Sequence, residues 1–184
     1  MLDQNASGLF PFTPPISLLY GLAESITMLH EFGLENVFAR HERYAEAVRR
    51  AATAWGLEIW CRDARSYSPA VTAISMPDGH DADAFRRLVL DRFNVSLAIG
   101  LNKLAGKAFR FGHLGYTNDV TIVSALAAVE MGLRLAGVPH EPCGVDAALS
   151  YLAQGDRGSA VQTTERLPAT KRNGSGNLFA QVSI

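Results

Sequence analysis

The chain has 184 residues, 48% of them hydrophobic and 19% charged, with a formal net charge of -1. That length allows one domain with a real core, or one domain plus a tail. The scattered Lys and Arg leave no electrostatic footprint for nucleic acid or an anionic membrane. Cys61 and Cys143 are the only cysteines and have no partner His at metal spacing, which argues against a zinc site and a disulfide framework. No apolar run reaches the ~18–20 residues of a membrane span, and MLDQNASGLFPFTPP lacks the regions of a signal peptide, so the expected location is the cytoplasm.

Residues 1–14 are rich in Gly, Pro and Asn and read as a linker. Pro14 and Pro15 can open a helix, with Thr13 placed where an N-cap oxygen would bond the first free amides. From Ile16 the apolar residues Leu19, Leu22, Ala23, Ile26 and Leu29 follow at helical spacing, and Gly33 is a C-terminal stop. A second helix is predicted from about Leu34 to Trp55. Leu34, Val37, Phe38, His41, Tyr44, Ala45 and Val48 make its buried stripe, and Arg and Glu residues make a solvated face.

After Gly56 the pattern turns to period two. LEIW (Leu57–Trp60) and AVTAISM (Ala70–Met76) read as strands. Asp81 or Asp83 caps a helix to about Phe93, with Phe85, Leu88 and Val89 buried. SLAIG (Ser96–Gly100) and AFRFG (Ala108–Gly112) are two further strands around the loop LNKLAGK. Thr117 or Asn118 caps a long helix to about Ala136, and Val145–Ala153 is a short one. Residues 154–184, poor in large apolar side chains, read as a largely disordered tail. The short strand-to-strand connections favour antiparallel pairing. The fold class is therefore α+β, a small antiparallel sheet with helices on one face, in a domain of residues 15–153.

Arg110 is the strongest candidate for chemistry. In the alternation of AFRFG it points away from both phenylalanines, and the strand then ends in glycines that let a ligand come close. A guanidinium fork there suits a planar carboxylate. The competing reading is an edge-strand arginine that blocks association between sheets. His113, in a Gly-His-Leu-Gly turn, is either an acid/base group or a histidine bonded to backbone. Lys103 and Lys107 sit in a polar loop and read as solvated rather than as desolvated Schiff-base lysines. No GxGxxG, GxxxxGK[ST] or GxSxG motif occurs.

FPFTPP, GLENVFARH, GLNKLAGKAFRFGHLG and ALAAVEMGL occur in that order. Together they resemble the C-terminal portion of the class V, fold-type I aminotransferases dependent on pyridoxal phosphate, in the serine–glyoxylate and alanine–glyoxylate group. The resemblance runs from about Gly8 to Gly137. It implies a small C-terminal α+β domain of a homodimeric transaminase. Such an enzyme would take an amino group from serine or alanine to glyoxylate, leaving glycine and a 2-oxo acid. Arg110 matches the family arginine that binds the substrate carboxylate. Thr13 matches a residue at the cofactor phosphate of the other subunit. Phe10 stands where some relatives carry a tyrosine hydroxyl, so any cofactor contact there would be apolar. The family's Schiff-base lysine would precede FPFTPP, so no catalytic residue is expected within this chain and the chain alone is expected to be inactive. The rival reading is a non-catalytic dimerisation or ligand-binding module; another class V small-amino-acid transaminase is a further alternative.

Overall fold

The computed structural model describes residues 6–8 and 12–154. The expected tail over 155–184 and Phe10 lie outside the described residues. The chain divides into two compact units between Ala39 and Arg40.

The first unit holds α1 (Ile16–Phe32) and the start of α2 (Leu34–Ala54). The prolines open α1 as expected, but Thr13 does not cap it. The N-cap is Pro15, and no side chain bonds the helix start. The reason is local: a cap at Thr13 would serve the amides of residues 15 and 16. Pro15 has no N–H, and the Ile16 N–H is taken by the Pro14 carbonyl at 2.9 Å. None of α1 is buried within the described chain, although Ile16, Leu22 and Ile26 keep the helical spacing. Leu34 and Phe38, expected inside, are also exposed.

The second unit carries the core. Its sheet has three strands, β1 (Val71–Ser75), β2 (Ala98–Ile99) and β3 (Ala108–Gly112), in the order β1-β3-β2 with both pairings antiparallel. The expected strand Leu57–Trp60 shrinks to a single bridge, Ile59 to Ile74, flanked by the bonds Trp60 N–H to Ala73 O and Ser75 N–H to Glu58 O. The pairing stops there because the chain leaves toward a 3-10 turn at Ala64–Ser66, which the Asp63 carboxylate caps through the Arg65 amide.

The helices α3 (Ala82–Phe93), α4 (Asp119–Leu135) and α5 (Gly144–Leu152) start close to the predicted positions. Asp81 caps α3 by accepting from the Asp83 and Ala84 amides, and Asn118 caps α4 through Thr121. Thr72, Ile74, Phe109 and Phe111 make the covered sheet face. Phe85 of α3 sits 5.0 Å, centroid to centroid, from Phe109. Val48 of α2, Trp55 just after it, Val89 of α3, and Leu126, Val129 and Leu133 of α4 complete the same core. Each large side chain sealed there contributes about 1.5–3 kcal/mol.

Two polar clamps lock the helices around that core. Arg43 of α2 donates to both carboxylate oxygens of Asp119 at 2.6 and 2.9 Å and to the Leu152 carbonyl at 2.8 Å, tying α2 to the start of α4 and the end of α5. These bonds hold the Asp119 carboxyl below the usual carboxylate range. Glu130 Oε2 accepts from the Trp55 indole at 2.7 Å and from the Val145 amide at 3.0 Å, which anchors the start of α5.

Gly132 sets how closely α3 and α4 approach. A Cβ there would lie 2.5 Å from the Val89 Cγ2 and 3.1 Å from the Phe85 ring. Alanine gains about 1 kcal/mol of helix propensity over glycine, but overpacking a core costs about 1–3 kcal/mol. Gly132→Ala is therefore expected to lower the urea midpoint of the chain. An unchanged or raised midpoint would show that the interhelical gap yields freely.

Candidate functional site

Arg110 lies at the centre of β3, with β1 on one side and β2 on the other. This position removes the edge-strand alternative: β3 is the middle strand and has no free edge to protect. Phe109 and Phe111 are sealed in the core, so the period of two turns Arg110 to the opposite, uncovered face, where it is half-buried.

The residues directly flanking Arg110 on that face are small, with Trp60 beyond Ala73. The cross-strand neighbours of Arg110 are Ala73 and Ala98, and its neighbours along β3 are Ala108 and Gly112. Its Nε–H donates to the Ile99 backbone carbonyl at 2.7 Å. Among the described residues no carboxylate pairs with it. The positive charge therefore stands on a floor of methyl groups, with its two terminal nitrogens uncommitted. Such a group can take a planar anion by two charge-assisted bonds.

The loop between β2 and β3 is tightly closed. A Cβ on Gly100 would overlap the Leu104 backbone, so only glycine lets the chain fold back here. Lys103 and Lys107 are exposed in this loop, which agrees with their solvated reading.

His113 follows Arg110 and is completely buried. Its Nδ1 lies 2.9 Å from the Pro69 carbonyl and its Nε2 lies 3.0 Å from the Thr72 hydroxyl. A carbonyl can only accept, so Nδ1 carries the proton and the neutral Nε2 accepts from Thr72. Both nitrogens are committed, and the acid/base alternative has no free nitrogen to use. Burial pushes the ring down to about 4, with the charges of Arg49 and His41 adding to the effect. The ring pins the end of β3 to the segment before β1. The turn after it is clasped by α2: the Gly115 amide donates to His41 Nε2 at 3.2 Å, and Arg40 donates to the Gly115 carbonyl at 3.4 Å.

Thr13 lies in the first unit and Arg110 in the second, so each is placed within its own unit. The Thr13 side chain is exposed, and Phe10 is outside the described residues. Ala73, Ala98 and the Ile99 carbonyl were not legible as site components. They become so only through strand register, and an alanine in a strand carries no chemical signal of its own. Among the described residues no group of three or more His, Cys, Asp or Glu could hold a metal ion, and no helix is long and apolar enough to cross a membrane.

A small antiparallel sheet, covered by helices on one side and carrying Arg110 on the other, defines an α+β domain. No family model matches the chain. It is 43% identical over 167 residues to the serine–glyoxylate aminotransferase of Hyphomicrobium methylovorum, covering 90% of this chain and 41% of that protein. It is 45% identical over 152 residues to the serine–glyoxylate aminotransferase of Methylorubrum extorquens, covering 82% of this chain and 38% of that one. Among solved structures, the pyridoxamine–pyruvate aminotransferase of Mesorhizobium loti matches with a TM-score of 0.75 and 34% identity, over 80% of this chain and 38% of that chain. The chain thus spans about two fifths of the length of these relatives. Over the matched region its relatives and structural neighbours are class V aminotransferases.

The His113 ring sets an acid sensitivity. Unfolded, the imidazole takes a proton near pH 6.5; folded, it resists until about 4. Its contribution to stability is therefore complete above pH 6.5 and is lost as pH falls toward 4, at no more than about 1.4 kcal/mol per pH unit. Denaturant melts from pH 7 to 5 should show this slope, and His113→Gln should be less stable at pH 7 but flatter across the window. An equally steep slope in that variant would assign the sensitivity to other groups.

Proposed function

We propose that this chain is the C-terminal portion of a transaminase that moves an amino group from serine, or alanine, to glyoxylate, giving glycine and a 2-oxo acid. The observation that carries this reading is the unpaired guanidinium of Arg110 on its bare sheet face. Donor and acceptor in such a reaction share one feature, a carboxylate beside the reacting carbon. A single fixed arginine can orient both, so one site serves both half-reactions. The Ile99 carbonyl holds the guanidinium in place before substrate arrives. Residues 15–153 are proposed as the small C-terminal domain of the enzyme, with 1–14 as its linker.

The residues at the start of α1 fit the proposed cofactor, pyridoxal phosphate. Among the described residues the Thr13 hydroxyl makes no hydrogen bond, and the Ser17 amide has no backbone acceptor. Both donors are available to a phosphate oxygen, at the positive end of a helix. When bound, the cofactor supplies an electron sink for the bond broken at the substrate carbon. Lys103 and Lys107 are exposed, whereas a Schiff-base lysine is held in a desolvated pocket. By the family resemblance, the lysine that would hold the cofactor is proposed to come from sequence outside these 184 residues.

A homodimer is proposed as the working assembly. In support, α1 exposes Ile16, Leu18, Tyr20, Leu22 and Ile26, an apolar surface of the kind that marks an interaction site. The same surface favours the rival reading, a non-catalytic association module.

The test joins this chain to the remainder of the Hyphomicrobium serine–glyoxylate aminotransferase, in place of the region it matches. The fusion is expected to convert serine and glyoxylate. Arg110→Gln should lower kcat/KM about 100-fold, within the 2–5 kcal/mol typical of breaking a hydrogen-bonded charge pair. A folded fusion whose kcat/KM is unmoved by that change would remove Arg110 from the site. A folded, self-associating but inactive fusion would favour the module instead. In a separate measurement, the 184-residue chain is treated with pyridoxal phosphate and borohydride and should show no adduct confined to one lysine. Such an adduct would return the cofactor lysine to this chain.

A further inference from the structure

An arginine offers a carboxylate two bidentate approaches, end-on through both terminal nitrogens or side-on through Nε and one of them. At Arg110 the side-on approach is closed, because the Nε–H is spent on the Ile99 carbonyl at 2.7 Å. What remains is the outer edge, and whether an acid can reach it depends on the neighbouring side chains. Directly opposed residues in antiparallel strands place their Cβ atoms about 4.5–5.5 Å apart. A side chain longer than a methyl at either cross-strand position would therefore lie against the guanidinium. Those positions hold Ala73 and Ala98, and the same-face positions two before and two after it on β3 hold Ala108 and Gly112.

We infer that Ala73 and Ala98 are specificity-determining residues of the Arg110 site: together they keep a lane open in which a small acid meets the guanidinium end-on. This rests on the proposed role of Arg110 as the carboxylate group. The lane sets the ligand class. It admits a carboxylate attached to a small carbon skeleton lying over methyl groups. Ala73 is half-buried and Ala98 exposed, and the strand period puts both on the sheet face opposite the core. Ala98 is exposed on an edge strand where a β-branched residue would suit the backbone better.

The inference is tested on the 184-residue chain by following the Arg110 Nε–Hε resonance during titration with acetate, with chloride at equal ionic strength as control. Acetate, and not chloride, is expected to move the resonance saturably, and Arg110→Gln should abolish the signal. The Nε proton should stay protected from exchange throughout, because the Ile99 bond persists in end-on capture. Ala98→Val and Ala73→Val should each weaken the acetate response about tenfold, the effect of losing one of two charge-assisted bonds. Ala98→Asp should abolish it by seating a carboxylate on the guanidinium from within. Valine variants with undiminished acetate affinity would overturn the open-lane inference while leaving Arg110 as a carboxylate group. Loss of Nε protection on binding would overturn end-on capture. No acetate response in the unaltered chain would sink the reading of Arg110 itself.

Discussion

The two-residue period of one central strand carries most of what this molecule can do. Along β3, Phe109 and Phe111 must face the helices because they are the largest apolar groups available to fill that side. Arg110, between them, is thereby forced onto the other face. A slip of one residue in register would bury the guanidinium and expose both rings. The burial of the two phenylalanines thus fixes the orientation of the arginine. The same hydrophobic contacts that stabilise the sheet aim its charge outward.

Holding that strand straight requires more than the core. His113 fastens its far end, because its two ring nitrogens join the segment before β1 to the β1 hydroxyl of Thr72. At the other end the β2–β3 loop closes over Gly100, and the Ile99 carbonyl on β2 reaches back to Arg110. The helix layer is locked separately by Arg43 on Asp119 and by Glu130 on Trp55. All these groups are bonded inside the protein, and the Arg110 fork is the polar group on the sheet left facing outward without a partner among the described residues.

The first unit presents the opposite arrangement. α1 has the sequence of a core helix, yet none of its residues is buried within the described chain. Since the chain spans about two fifths of the relatives it matches, a surface suited to further protein is consistent with the assembly proposed above. The helix therefore forms from local signals, with Pro14 and Pro15 setting its start and Gly33 its end, independently of any partner for its apolar residues.

The amino-acid sequence by itself determined the α+β class, the five helices among the described residues, cap positions narrowed to Asp81 or Asp83 and to Thr117 or Asn118, and the outward direction of Arg110. These are readable because they depend on spacing within a few residues: a period of 3.6 or 2, a cap oxygen beside its amides, a glycine at a turn. The relation to class V aminotransferases was equally legible in its motifs. The failures also have physical causes. Thr13 looked like a cap, but the prolines after it left no amide for it to serve. Leu57–Trp60 looked like a strand, but one bridge was all its partner offered. Only the tertiary structure decided that β3 is central rather than an edge, that Ala73 and Ala98 flank the arginine, and that both nitrogens of His113 are spent. Each of these depends on which distant segments pair, and that is settled by the free energy of the whole packed core, which local spacing does not encode.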